Sequence, residues 1–130
     1  MTQPRYAFVI DDNRMIANSL VNMLQLLGYE ASAAYGSLPA MQILSYSVPD
    51  LILLDIHMQG VNGVEMCRFI RRDERLARIP VLAISSDTQP ELIASMRSAG
   101  ANAFLSKPIE LDGLEAAIAA AQRDASLTPP

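Results

Sequence analysis

Short apolar runs alternate five times with longer segments of helical periodicity along the 130-residue chain. The runs at residues 6–10 and 51–54 are almost continuously apolar, as is typical of strands that helices cover on both faces. This alternation predicts an α/β fold, because a helix is the usual crossover between two parallel strands. We therefore predict a (βα)5 chain folded into a doubly wound, five-stranded parallel sheet.

The same patterns give the approximate extent of each element. Strands are predicted at residues 6–10, 29–34, 51–54, 79–84 and 103–105. Helices are predicted at about 16–27, 36–46, 64–70, 88–99 and 112–123. Ser37 is the candidate cap of the second helix. The capping-box spacing of Thr88 and Glu91 opens the fourth helix, which Gly100 closes.

Length and composition limit the function classes that are open to this chain. The length suits one domain, with residues 124–130 as a tail or linker stub. The net charge of −4 argues against direct binding to nucleic acid, whose phosphates would be repelled. No apolar run approaches the roughly 20 residues that span a bilayer, and no secretion signal is visible. Cys67 is the only cysteine, so no internal disulfide can form and we expect a reducing, cytoplasmic compartment. Because no run is long enough to span a bilayer, we expect no membrane contact.

Polar side chains follow four of the predicted strands at their carboxyl ends. Asp11 and Asp12 follow the first strand, and Asp55 follows the third. Ser85 follows the fourth strand, and Lys107 comes just after the fifth. Because the carboxyl ends of parallel strands meet at one edge of an open sheet, we expect three acids, a hydroxyl and a lysine to converge there.

This set of residues indicates phosphoryl chemistry that depends on a cation. Clustered carboxylates repel one another unless protons or a cation offset their charge, and a few carboxylates completed by water suit Mg²⁺, or Mn²⁺ in its place. A carboxylate can attack phosphorus and become an aspartyl phosphate. The lysine would neutralise charge on the transferred group, and the hydroxyl would donate to one of its oxygens.

With these residues placed, the chain resembles the response-regulator receiver family of two-component signalling over residues 5–123. The resemblance implies a flavodoxin-like strand order of 2-1-3-4-5. It implies that Asp55 is the phosphoacceptor and that Lys107 contacts the phosphoryl group. It also implies that Asp12, Asp55 and the backbone carbonyl of His57 ligate the metal, and that Asp11 assists mainly through water.

Other positions of the family pattern are matched as well. The resemblance implies that Ser85 and Phe104 form the switch pair and that the Lys107–Pro108 bond is cis. His57 and Asp87 would flank the exposed side of the phosphoryl group as modulators, with His57 otherwise a solvated loop residue.

Two further positions near the predicted site, 86 and 59, can be compared with the family pattern. Ser86 is small enough to leave the phosphoryl pocket open. Gln59 departs from the pattern, because the family usually has proline there, and we expect this change to alter loop dynamics more than activity.

The resemblance implies a signalling switch rather than an enzyme. Its partners would be a sensor histidine kinase or a histidine phosphotransfer protein and a downstream effector domain or protein, and a homodimer is possible. A phosphorylation-independent pseudo-receiver module is the main alternative. An aspartate-nucleophile phosphatase would need a second aspartate where the chain has His57, and a nucleotide-binding domain would need a Gly-rich loop after the first strand.

A run of arginines near the third helix is interpreted as a solvated, charged face. The run comprises Arg68, Arg71, Arg72, Arg75 and Arg78.

Overall fold

The computed structural model describes residues 5–127 and contains five strands and five helices in strict alternation. In chain order they are β1 (Tyr6–Ile10), α1 (Arg14–Leu26), β2 (Glu30–Ala34), α2 (Ser37–Leu44), β3 (Leu51–Asp55), α3 (Gly63–Arg72), β4 (Val81–Ser85), α4 (Pro90–Ala99), β5 (Ala103–Ser106) and α5 (Leu111–Ser126). The strands form one parallel sheet in the order β2-β1-β3-β4-β5. The predicted α/β class, flavodoxin-like topology and strand order are therefore confirmed.

Helices cover both faces of the sheet, so the domain has a separate apolar core on each side. Alternate residues of β1 point to opposite cores: Phe8 belongs to one cluster and Val9 to the other. The first cluster takes side chains from α2, α3 and α4, and the second takes them from α1 and α5. Every residue of β3 and β4 is buried, which explains why their sequences are almost wholly apolar.

Two of the predicted helix caps, Ser37 and Thr88, are wrong. Ser37 is not the cap of α2: Gly36 occupies the cap position with φ of 139°, and Ser37 is the first helical residue and buried. Thr88 does not cap α4, because Pro90 is its first residue and Gln89 its cap. A proline suits the first helical position, where its missing N–H is not needed. The cap is therefore Gln89, one residue after the predicted Thr88.

The last helix extends beyond the predicted end at residue 123, since α5 continues to Ser126. Asp124 is held in the fold by a hydrogen bond from Asn102 Nδ2 at 2.9 Å and an ion pair with Arg97 at 3.5 Å. Residues 124–126, predicted to be the start of a tail, therefore belong to α5. Residues 128–130 of the predicted tail lie outside the described residues.

Two arginines of the predicted solvated face are structural. The Arg71 guanidinium donates to the carbonyls of Gly100 and Ile79 at 2.8 Å each and to Asn102 Oδ1 at 2.8 Å. It therefore joins the end of α3 to the end of α4 and to the segments that precede β4 and β5. Arg75 donates to the carbonyl of Leu44, the last residue of α2, at 2.8 Å. The interpretation as a charged face holds for the exposed members, which are Arg68, Arg72, Arg75 and Arg78. Arg71 is half-buried, so the interpretation is wrong for that residue.

Candidate functional site

The register of the sheet places two carboxylates side by side. Ile10 of β1 pairs with Leu54 of β3, so the next residues, Asp11 and Asp55, emerge together at the carboxyl edge. Asp12 follows at once, and one carboxylate oxygen from each of the three acids lies within 4.8 Å of the others. Asp11 and Asp55 are buried, whereas Asp12 is exposed and gives the cluster an opening to solvent.

Lys107 reaches this cluster from the end of β5. Its Nζ lies 3.0 Å from Asp55 Oδ1 and 3.4 Å from Asp11 Oδ2. The backbone N–H of Lys107 donates to the carbonyl of Ser85 at 2.9 Å, which fixes the start of the β5–α5 loop against β4. The Lys107–Pro108 peptide bond is cis, as the family resemblance implies.

The carboxylates and the lysine shift each other's protonation. Burial, followed by the charge of Asp11, raises the pKa of Asp55 from 3.8 to about 6, although the hydrogen bond and charge of Lys107 act in the opposite direction. Burial alone would lower the pKa of Lys107, but the hydrogen bond and charge of Asp55 and then the charge of Asp11 outweigh it and hold this pKa above its usual value. Three carboxylates and one ammonium give the cluster an excess of negative charge, which is unfavourable unless a cation binds or protons are taken up.

The donor set suits a divalent cation of the magnesium kind. Carboxylate oxygens are the hard ligands that Mg²⁺ prefers, and three of them converge beside an opening to solvent that would supply waters. No sulfur or imidazole ligand joins this group among residues 5–127, so the chemistry of the donors does not favour zinc or copper. Asp11, Asp12 and Asp55 therefore fit the predicted cofactor.

The two residues of the predicted switch pair, Ser85 and Phe104, lie on β4 and β5, on the side of β3 away from β1. Ser85 ends β4 and is buried, and its Oγ accepts a hydrogen bond from the Asp87 N–H at 3.0 Å. Phe104 is half-buried in β5 and packs against the apolar cluster beneath α4. Ser86, the next residue after Ser85, is exposed.

His57 and Asp87 face each other across the mouth of the site. His57 Nε2 lies 3.5 Å from Asp87 Oδ2, so the pair joins the loop after β3 to the loop after β4. His57 is exposed, as expected for a solvated loop residue, and Asp87 also accepts a hydrogen bond from the Gln89 N–H at 3.0 Å.

Two contacts of the β3–α3 loop were not foreseen from the sequence. The Gln59 N–H donates to Asp12 Oδ2 at 3.2 Å, a backbone contact for which the sequence carries no signal. Gly63 begins α3 directly against the end of β3, where an added Cβ would lie 2.5 Å from Ile56 Cα and 2.7 Å from the Asp55 carbonyl oxygen. The sequence pattern does not predict this close approach of α3 to β3.

The fold and this edge define a doubly wound α/β domain with an acidic cluster and a lysine at its carboxyl edge. The sequence profile of the response regulator receiver domain matches residues 7–119. The chain is 30% identical over 103 residues to the polar-differentiation response regulator DivK of Brucella ovis, covering 79% of this chain and 84% of the relative.

Solved structures share the architecture. The chemotaxis protein CheY4 of Vibrio cholerae superposes with a TM-score of 0.86 at 25% identity, over 93% of this chain and 98% of that one. The receiver domain of the sensor histidine kinase PA1611 of Pseudomonas aeruginosa, solved with a magnesium ion coordinated in its active-site cleft, has a TM-score of 0.82 at 23% identity over 95% and 99%. The chain belongs to the response regulator receiver domain family, whose members are signalling switches of two-component systems.

None of the helices in residues 5–127 is long and apolar enough to cross a membrane.

Proposed function

We propose that this chain is a phosphorylation switch in which Asp55 accepts a phosphoryl group in the presence of Mg²⁺ or Mn²⁺. The observation that supports it best is the meeting of three carboxylates with the Lys107 ammonium, 3.0 Å from Asp55 Oδ1. The donor would be a phosphohistidine of a sensor histidine kinase or of a histidine phosphotransfer protein. The proposal includes the cytoplasmic location expected from the sequence.

Several residues of the site would contribute to transfer of the phosphoryl group. A carboxylate oxygen of Asp55 would form a bond to phosphorus as the bond from phosphorus to the donor's imidazole nitrogen breaks, and that nitrogen would take up a proton. The bound cation would neutralise charge on the phosphoryl oxygens. Its ligands would be the carboxylates of Asp12 and Asp55 and the backbone carbonyl of His57, and Asp11 would assist mainly through water.

Lys107 would provide the second positive charge. Its ammonium already lies against Asp55, so it would contact the phosphoryl group without a large movement. The raised pKa of Asp55, at about 6, leaves the carboxylate largely ionised at pH 7.5 and therefore able to act as a nucleophile. Below pH 6 the nucleophile would be lost to protonation, unless the cation displaces the proton first.

Transfer would be coupled to the surface through Ser85. The aspartyl phosphate would draw the Ser85 hydroxyl toward a phosphoryl oxygen, and Phe104 would turn inward into the space that the shift opens. The exposed surface of α4, β5 and α5 would then change and alter binding to an effector domain or protein, or to a second copy of the chain. Of two pre-existing arrangements, phosphorylation would favour one.

The test is uptake of a phosphoryl group from acetyl phosphate in the presence of Mg²⁺, which is measured by intact mass spectrometry. The wild type and an Asp112→Asn control, which changes an exposed aspartate at the start of α5, should each gain one phosphoryl group. Asp55→Asn should gain none, and neither should the wild type in EDTA. Equal, stoichiometric labelling of Asp55→Asn would overturn the assignment of the phosphoacceptor.

A second measurement separates the switch from a phosphorylation-independent module with the same fold. Beryllofluoride imitates an aspartyl phosphate, so with Mg²⁺ it should shift the NMR resonances of β4, α4 and β5 in the wild type and not in Asp55→Asn. A wild type that neither takes up phosphate nor responds to beryllofluoride would support the pseudo-receiver alternative instead.

A further inference from the structure

A backbone hydrogen bond joins two separate loops at the carboxyl edge of the sheet. The N–H of Gln59, in the loop after β3, donates to Oδ2 of Asp12, in the loop after β1, at 3.2 Å. The two residues are 47 positions apart in the chain. The contact therefore links the loop that follows the phosphoacceptor to one of the three clustered carboxylates.

The three carboxylates are not held equally. Asp11 is buried and accepts hydrogen bonds from the Asn13 N–H at 2.9 Å and from Lys107 Nζ at 3.4 Å. Asp55 is also buried and accepts from Lys107 at 3.0 Å. Asp12 is exposed, and the Gln59 N–H is the one hydrogen-bond donor to its side chain within residues 5–127. Without that donor the Asp12 side chain would move among several rotamers. Fixing it in one rotamer would then cost conformational entropy, which opposes binding of the cation.

We propose that the Gln59 N–H is a positioning group for Asp12, which preorganises this exposed carboxylate as a ligand of the divalent cation. An ionised carboxylate has about four acceptor sites on its two oxygens, so a single N–H leaves capacity for a cation. Hydrogen bonds of this kind to a metal ligand typically change metal affinity by about 10–100-fold. The inference rests on the proposed cation binding at Asp11, Asp12 and Asp55.

The contact depends on the backbone of residue 59 and not on its side chain. Gln59 is exposed, and its side chain makes no hydrogen bond in the described part of the chain. Every amino acid except proline would supply the same N–H. The substitution Gln59→Pro therefore removes the donor, while Gln59→Ala removes the side chain and keeps the donor.

The variants Gln59→Pro and Gln59→Ala give a direct test when the full chain is titrated with Mg²⁺. The titration is monitored by calorimetry or through the amide resonances in ¹H–¹⁵N NMR spectra. We expect the Mg²⁺ dissociation constant of Gln59→Pro to rise about tenfold, the lower end of the typical range because Asp12 is exposed. Gln59→Ala should bind Mg²⁺ like the wild type.

The outcomes separate this inference from the proposed function. If Gln59→Pro binds Mg²⁺ as tightly as Gln59→Ala, or if both lose affinity equally, the positioning role is wrong while the proposed function stands. If the wild type itself does not bind Mg²⁺, the proposed function fails and the inference fails with it.

A metal-free measurement keeps the test decisive even if the proline variant does not fold. In the wild type the Gln59 amide proton should resonate downfield, as expected for an N–H that donates to a carboxylate. Asp12→Ala should move it upfield, whereas Glu115→Gln, which removes an exposed charge on α5, should leave it in place. An unchanged Gln59 amide in Asp12→Ala would show that the hydrogen bond does not form in solution, and the inference would be overturned.

Discussion

Replacing the phosphoacceptor with asparagine should stabilise the metal-free protein. The Asp55 side chain is only 5% exposed, and burial with the charge of Asp11 raises its pKa from 3.8 to about 6. The ionised carboxylate is therefore less favourable in the folded chain than in the unfolded chain. Asp55→Asn removes this ionisation and keeps a side chain of almost the same shape that can still accept from Lys107.

The magnitude follows from the two pKa values. The difference between 3.8 and about 6 corresponds to about 3 kcal/mol, at about 1.4 kcal/mol per pKa unit. Because the folded-state pKa is the higher one, the wild type is most stable below 3.8 with respect to this group and loses that stability as pH rises through 6. The stabilisation of Asp55→Asn should be about 3 kcal/mol at pH 7.5 and less than about 1 kcal/mol at pH 4.

Urea unfolding in EDTA at both pH values measures this difference. Glu115→Gln is the matched control, because it removes the same formal charge from an exposed position on α5. Added Mg²⁺ should stabilise the wild type more than Asp55→Asn, since the cation binds the folded state and offsets the charge of the cluster. Two results would refute the reasoning: a variant no more stable than the control at pH 7.5, or an equal gain at both pH values.

Two further substitutions test the β3–α3 loop and the mouth of the site. Gly63→Ala should destabilise the fold by about 1–3 kcal/mol in urea unfolding, because its Cβ would lie 2.5 Å from the Ile56 backbone, which cannot rotate away; unchanged stability would contradict that close approach. If the contact between His57 and Asp87 shields Asp55 from water, His57→Ala should speed loss of the phosphoryl group a few-fold in a dephosphorylation time course. Equal rates in the variant and the wild type would count against this role.

The sequence was sufficient to predict the sheet and the convergence of its polar ends. Continuous apolar runs identify strands that are buried on both faces, and a parallel sheet brings the residues after those strands to one edge. This reasoning predicts that Asp11, Asp55, Ser85 and Lys107 converge. In the structure the Lys107 side chain contacts Asp11 and Asp55, and its backbone N–H contacts the carbonyl of Ser85. The strand order itself came from the family resemblance and not from the residues.

The details that the sequence did not reveal depend on the backbone and on three-dimensional partners. Ser37 has the composition of a helix cap, but Gly36 takes the cap position because only glycine adopts its positive φ readily. The sequence pattern predicts a surface charge at Arg71, because the carbonyls to which it donates come together only in the folded chain. The Gln59 N–H is common to all residues except proline, so no pattern of side chains identifies it.

The resting contact of Ser85 bears on how strongly the proposed switch would be biased. Its Oγ accepts a hydrogen bond from the Asp87 N–H, so turning the hydroxyl toward a phosphoryl oxygen would give up a neutral hydrogen bond worth about 1 kcal/mol. The new bond to a charged oxygen would contribute about 1.5–3 kcal/mol. The net gain of about 0.5–2 kcal/mol corresponds to a population shift of roughly 2- to 30-fold. A bias of that size leaves both arrangements accessible, so the effector's own preference for one surface of α4, β5 and α5 would add to the outcome.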